Sequence, residues 1–469
     1  MKKKLIMLLV TFTFITLTAC GNKTETAEPV IEVEKPAAQQ EPEEEQKPTE
    51  QQKPTEQQKP IAEAETITEQ QESEEAESTP FTTSEQSDIV IPEVNITKES
   101  IPDNEALQFV QNMKTGWNLG NTLDAHNSNG SFIDELQTET AWGNPVTTKE
   151  MIDTVKAAGF NTLRLPITWH QHVTIESTAD SHLGAGVTVS TAWVDRVQEI
   201  VDYAYANDMY VIINIHHDTD LAYYYPDSAH YGQSANFSYA IWAALSERFK
   251  DYDQHLIFEA SNEPRLIGTS QEWNFNENDA ACQDSADCIN RLNQVFVDVV
   301  RNSGGNNADR YLMIPSYSAS LAAVTSDLFK LPTDTVENRL IVSNHAYTPY
   351  NFALKPTDQG GGGSFNPTSP SSTGEIDGLM TKLYDKFISN GIPVVMGEYG
   401  AMSRDNNLQD RVNFYAYYVA AAKARGITCC VWDNGYALGS GGGETFGLLN
   451  RKDLTWVDPK IIETIMKYS

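Results

Sequence analysis

A closed α/β barrel of eight strand–helix units is the fold this sequence predicts, on three observations. After residue 101, short apolar runs recur eight times. Amphipathic segments of helical period separate them. The runs are apolar almost throughout rather than alternating, which marks strands covered on both faces, as in a parallel sheet under helices. Eight such units over the chain after residue 101 fit a (β/α)8 TIM barrel with insertions. The rival, a doubly wound open sheet, typically carries a Gly-rich phosphate turn after an early strand, and no such turn is present.

The strand candidates, in order, are GWNLGNTLD, NTLRLPIT, YVIINIHHD, LIFEASNEP, YLMIPSYS, LIVSNHAYT, PVVMGEYG and TCCVWDNG. The first helical segment, TTKEMIDTVKAAG, has a Thr cap and a Gly stop. The next, STAWVDRVQEIVDYAYAND, sets Trp193, Val197, Ile200, Val201 and Ala204 on one face. SYAIWAALSERFKDY, NRLNQVFVDVVRNSGG, DGLMTKLYDKFISNG and DRVNFYAYYVAAAKARG follow the same rule, and DPKIIETIMKYS closes the chain. Two stretches are expected as loops: NENDAACQDSADC, and the Gly-rich DQGGGGSFNPTSPSSTG at 358–374.

Upstream of the barrel (101–469) the chain is of another kind. MKKK followed by LIMLLVTFTFITLTA has the basic and apolar regions of a signal peptide. It closes on LTAC, which resembles a bacterial lipobox; the resemblance implies cleavage before Cys20, lipidation of that residue and an envelope-anchored, extracellular protein. A plain secretory signal is the alternative. Residues 21–100 hold 21 acidic and 6 basic residues and a six-residue repeat, EQKPTEQQKPTEQQKP. That composition predicts a disordered, extended linker, here a tether from membrane to domain. The net charge of −32 argues against nucleic-acid binding, which needs clustered Lys and Arg. Cys282 and Cys288 are close enough in sequence to pair in an oxidising compartment, whereas Cys429 and Cys430 read as small core residues on opposite strand faces.

Catalytic groups in such a barrel come from the C-terminal ends of strands. Here those ends carry Arg164, then His216, His217 and Asp218, then Asn262 and Glu263, then His345 and Tyr347, then Glu398, and last Trp432. Two carboxylates on one rim are what glycoside cleavage needs: one protonates the leaving oxygen, the other attacks the anomeric carbon or activates water. The proton donor must then stay protonated near neutral pH. Adjacent histidines on a strand would point to opposite faces and chelate a metal poorly. Trp142 and Trp169 suit either the core or the rim.

The motifs GWNLGNTLDA, ETAWGNPVTT, LRLPITW, INIHHD, NEPR, HAYTPY, GEYG and VWDNG, taken in order, resemble those of glycoside hydrolase family 5, and the first two most resemble its subfamily four. The resemblance implies a retaining endo-β-1,4-glucanase acting on cellulose-like, mixed-linkage or xyloglucan chains. In it Glu398 is the nucleophile and Glu263 the acid and then the base. Asn262 binds the sugar 2-hydroxyl, and Arg164, Tyr347 and His345 support Glu398. His216 belongs to the sugar site, Trp432 stacks at the cleaved sugar, and Asn121 lines the cleft. No cofactor or metal is implied; the expected partners are a β-glucan and the membrane that holds the anchor, the chain itself being monomeric. A mannanase or xylanase on the same scaffold, and a non-catalytic glycan-binding lipoprotein, are the alternatives.

Overall fold

Strands β1 (Thr115–Asn118), β2 (Thr162–Leu165), β3 (Tyr210–Asn214), β4 (Leu256–Glu259), β5 (Leu312–Pro315), β6 (Leu340–His345), β7 (Val394–Tyr399) and β8 (Thr428–Val431) pair in parallel, each with its neighbours in sequence. The pairing of β8 with β1 closes the barrel. The computed structural model describes residues 88–127, 134–439 and 443–469. Seven of the eight strands fall inside the predicted runs, and β1 begins one residue before its run, at Thr115. Each is followed by a helix before the next strand or the chain end; after β5 this is only the five-residue Leu321–Thr325, which the sequence did not announce. Among the described residues no helix is long and apolar enough to cross a membrane.

The strand period of two builds the interior in layers. Ile212, Ile257, Met313, Ile341, Val395 and Cys430 form an apolar floor. The helix Glu105–Asn112, just before β1, seals it from below with Ala106, Phe109 and Val110. Two residues further along their strands stand Asn214, Glu259, Ser343 and Gly397, and Asn118 and Arg164 pair in register on β1 and β2 beside them. This second layer is polar and fully buried. Burying it costs heavily unless every group is bonded, so its partners define the site above.

Three expectations need correcting. NENDAACQDSADC is not a loop: Asp279 caps the helix Ala280–Asn302 by accepting from the amides of Ala281 and Cys282. Cys282 and Cys288 therefore sit on one helix as free buried thiols. Six residues of helix separate them by about 9 Å, beyond disulfide reach. The Gly-rich stretch becomes helical at Pro370, the first residue of the helix Pro370–Lys386. Third, residues 88–100 belong to the domain rather than to a linker. Val90 exchanges two backbone bonds with the Gln409 side chain, and the Val94 amide donates to the Tyr468 hydroxyl. The Glu99 amide donates to the Ala424 carbonyl. The leader, Cys20 and the repeat lie outside the described residues.

Candidate active site

Arg164, fully buried at the end of β2, organises the centre of the barrel mouth. Its Nη1 donates to Glu398 Oε1 (2.9 Å) and to Asn118 Oδ1 (3.0 Å), and its Nη2 donates to Asn262 Oδ1 (2.8 Å). Its Nε donates to Glu259 Oε2 (2.9 Å). Burial opposes its charge, yet the fields of Glu259 and then Glu398 raise its pKa, so it stays a cation. The Tyr347 hydroxyl donates to the other oxygen of Glu398, Oε2 (2.9 Å). Burial and then the charges of Glu398 and Glu263 push that phenol well above its ordinary range, which keeps it a donor.

Glu263, beyond the end of β4, meets His345 at the end of β6: His345 Nδ1 lies 2.8 Å from Glu263 Oε1 and 3.8 Å from Glu398 Oε1. One donor atom each from Glu263, His345 and Glu398 lie within 4.8 Å of one another. The two carboxyl groups thus approach more closely than the roughly 6.5 Å minimum of inverting enzymes. Strand pairing shifts on both sides of β7, between Asn344 and His345 and between Cys429 and Val431. Such irregularities re-aim side chains at a barrel rim. The glycine of GEYG is required here, since a Cβ on Gly397 would fall 2.7 Å from His345 Nε2.

The pKa directions at Glu263 and His345 run opposite to one another. Burial raises the Glu263 carboxyl, but the hydrogen bond and charge of His345 outweigh it and lower the pKa overall. Burial lowers His345, but the charge of Glu398 and the bond to Glu263 raise it. The two opposed shifts favour an imidazolium beside a carboxylate, so that Glu263 and His345 share one proton. Replacing His345 by Asn leaves Glu263 to hold that proton alone. The expected result is a lower kcat and a basic limb of kcat/KM moved to lower pH by on the order of one unit, the scale of coupling between such groups. A pH profile on a soluble β-glucan checks it, and an unmoved limb refutes it.

His216 Nε2 is 3.9 Å from Glu398 Oε1, and its Nδ1 lies 3.1 Å from the Asn214 amide. Burial, then His217 and Arg164, keep it neutral, far below its usual pKa. The Trp432 ring is parallel to that of His216 at 6.0 Å and is held against Met402 and Phe446. The indole also explains Gly120, where a Cβ would come within 2.6 Å of it. Asn121 does not touch either carboxylate. It sits at positive φ in a turn closed by Asp124, and its carbonyl accepts from the Asn144 amide.

His217 departs from the strand-alternation argument because β3 ends at Asn214; the two histidine rings lie 4.4 Å apart, at 87°. Donor atoms of Asp124, His216 and His217 are mutually within 4.8 Å, but the Asp124 carboxylate already accepts from the amides of Asn121 and Thr122. The half-exposed His217 ring instead joins a rim of His126 and Trp142. Trp169 is core: fully buried, it donates from Nε1 to the Asn214 carbonyl.

Two features escaped the sequence reading. Glu259 lies inside an apolar run, and a carboxylate there had to be paired. Arg265 lies 3.9 Å over the ring of Trp273, which is 59% exposed, and donates to the Glu263 carbonyl. Arg265 thus links an exposed indole to the backbone of Glu263.

The family model described as Cellulase (glycosyl hydrolase family 5) matches residues 124–438, which hold all of these strand-end groups except Asn121 and Asn118. The chain belongs to glycoside hydrolase family 5. Among its relatives, Endoglucanase B of Clostridium cellulovorans is 40% identical over 373 residues, 79% of this chain and 77% of that protein. The family 5 lichenase of Caldicellulosiruptor sp. F32, solved as a mutant with cellotetraose, superposes with a TM-score of 0.77 at 54% identity, covering 81% of this chain and 99% of that one. A broad-specificity subfamily-four endoglucanase from Ruminococcus champanellensis, solved with cellotriose, gives a TM-score of 0.68 at 42% identity, with 78% and 100% covered.

Proposed function

We propose that this family 5 domain is a retaining endo-β-1,4-glucanase acting on mixed-linkage β-glucan, cellulose-like chains or xyloglucan. The observation that carries the reading is the contact of Glu263 and Glu398 within 4.8 Å around His345. In the first step a Glu398 oxygen bonds to the anomeric carbon as the C–O bond to the leaving sugar breaks. The proton shared by Glu263 and His345 passes through Glu263 to the leaving oxygen. In the second, water gives its proton to Glu263 and attacks the same carbon, releasing Glu398. Arg164 takes the carbonyl of Asn262, so the atom left for the sugar 2-hydroxyl is the amide nitrogen. Trp432 offers its face to the apolar side of the cleaved sugar, and Trp273, stacked on Arg265, offers a platform to the departing one.

Support for a glucan comes from the lichenase and the broad-specificity endoglucanase, both solved with cello-oligosaccharides. The test is reducing-end release from barley β-glucan, carboxymethylcellulose, xyloglucan, glucomannan and xylan. Turnover on the first three with retention of anomeric configuration is expected; activity on mannan or xylan alone overturns the assignment. In the same reading the enzyme works outside the cytoplasm, tethered through a lipid on Cys20, on the strength of the leader sequence. Incorporation of labelled palmitate that persists in Cys20→Ser refutes that part.

A further inference from the structure

We infer that Glu259, which takes no part in the bond-making steps above, is a positioning residue that shares the charge of Arg164 and so preserves the basicity of the nucleophile. The inference rests on Glu398 being that nucleophile. Glu259 is fully buried at the end of β4. Its Oε2 accepts from Arg164 Nε (2.9 Å) and Asn214 Nδ2 (3.0 Å), and its Oε1 accepts from the Ser343 hydroxyl (2.6 Å). Asn214 in turn meets His216 Nδ1. One carboxylate therefore ties β2, β3, β4 and β6 together beneath the reacting atoms.

The charge count shows why this is more than a brace. A buried Arg–Glu pair is already neutral, and a second buried carboxylate on the same guanidinium adds an uncompensated negative charge. Here that charge is joined through Arg164 to the carboxylate that attacks the carbon where positive charge develops, which favours the transition state. It also divides the pull of Arg164 between two anions, so Glu398 is held in place without losing its electron pair to one full cation. The other titratable groups facing the cluster are Tyr347, His216, His345, Glu263, Glu444 and Cys430. Removing Glu259 leaves Arg164 to Glu398 alone, so the nucleophile stays ionised to lower pH and attacks more slowly.

The measurement is the pH dependence of inactivation by a 2,4-dinitrophenyl 2-deoxy-2-fluoro-β-cellobioside, which reads the nucleophile without needing acid catalysis. Glu259→Gln is expected to move the acidic limb down by about one pH unit and to slow the maximal rate roughly tenfold or more. Glu259→Asp, which keeps the charge, should return the limb to its wild-type position. Should the Gln variant fail to fold, Ser343→Ala weakens the same anion and should move the limb the same way by less. A folded Glu259→Gln protein, or Ser343→Ala in its place, with wild-type limb and rate overturns the inference while Glu398 is still the labelled residue. A label on any residue other than Glu398 overturns the underlying mechanism instead, and mass spectrometry of the labelled peptide separates the two outcomes.

Discussion

Glu398→Gln is expected to lower kcat on soluble β-glucan by roughly 10⁴–10⁶-fold, the scale on which removing a nucleophile acts. The amide cannot form the glycosyl-enzyme, and its environment makes matters worse. Arg164 Nη1 and the Tyr347 hydroxyl both donate to Glu398, one to each oxygen. An amide NH2 meets one of these donors head on, and Arg164 keeps only Glu259 as an anionic partner. Glycan binding should survive, because Trp432, Asn262 and His216 are supplied by other strands. Isothermal titration with cellotetraose therefore separates the two functions: a dissociation constant within about threefold of wild type, beside lost turnover, is expected. Unchanged turnover would show that Glu398 is not the nucleophile, whereas a wild-type protein that binds cellotetraose without turnover would be a glycan-binding protein whose carboxylates do no chemistry.

The second large effect follows from removing Glu263. With Glu263→Ala, hydrolysis of β-glucan should fall by about 10²–10⁴-fold, the usual contribution of a positioned acid. A dinitrophenyl cellobioside, whose leaving group needs no proton, should still form the glycosyl-enzyme quickly. Its turnover is then limited by the second step, where water lacks a base, so KM falls along with kcat. Azide, a nucleophile that needs no base, should restore turnover and give the β-glycosyl azide. An equal loss across leaving groups would show that Glu263 holds structure rather than a proton. His345 cannot replace it: its Nδ1 sits behind the Glu263 oxygen at 2.8 Å, as a store for the proton.

Much of this architecture was legible because the barrel writes its plan locally. An apolar run that ends in Asn262–Glu263 or Glu398–Tyr399 announces both a buried strand and a functional rim, so the strands and the groups beyond them could be read in order. Helix starts were harder. Ala280–Asn302 opens on buried positions of helical spacing, but Cys282, Ser285 and Ala286 are small rather than large and apolar, and Asn274, Asn276 and Asn278 precede them, so the stretch reads as polar loop. Pro370 is a good first helical residue, but the run of glycines before it masked the signal. Glu259 stayed hidden for a different reason: its partners, Arg164 and Ser343, are 95 and 84 residues away. Only closure of the barrel brings them together. The same closure sorted Trp169 into the core and Trp142 onto the rim, though both stand in similar polar surroundings in sequence.

The strap formed by residues 88–100 has a mechanical corollary. A pull arriving from the N-terminal side is taken up first by Gln409, Tyr468 and Ala424, on the last two helices, and by the ion pair between Glu93 and Lys467. Beyond them it meets the helix that seals the barrel floor. The load path thus runs along the outer wall and base, away from the carboxylates, so a pull from that side leaves the geometry at the barrel mouth undisturbed.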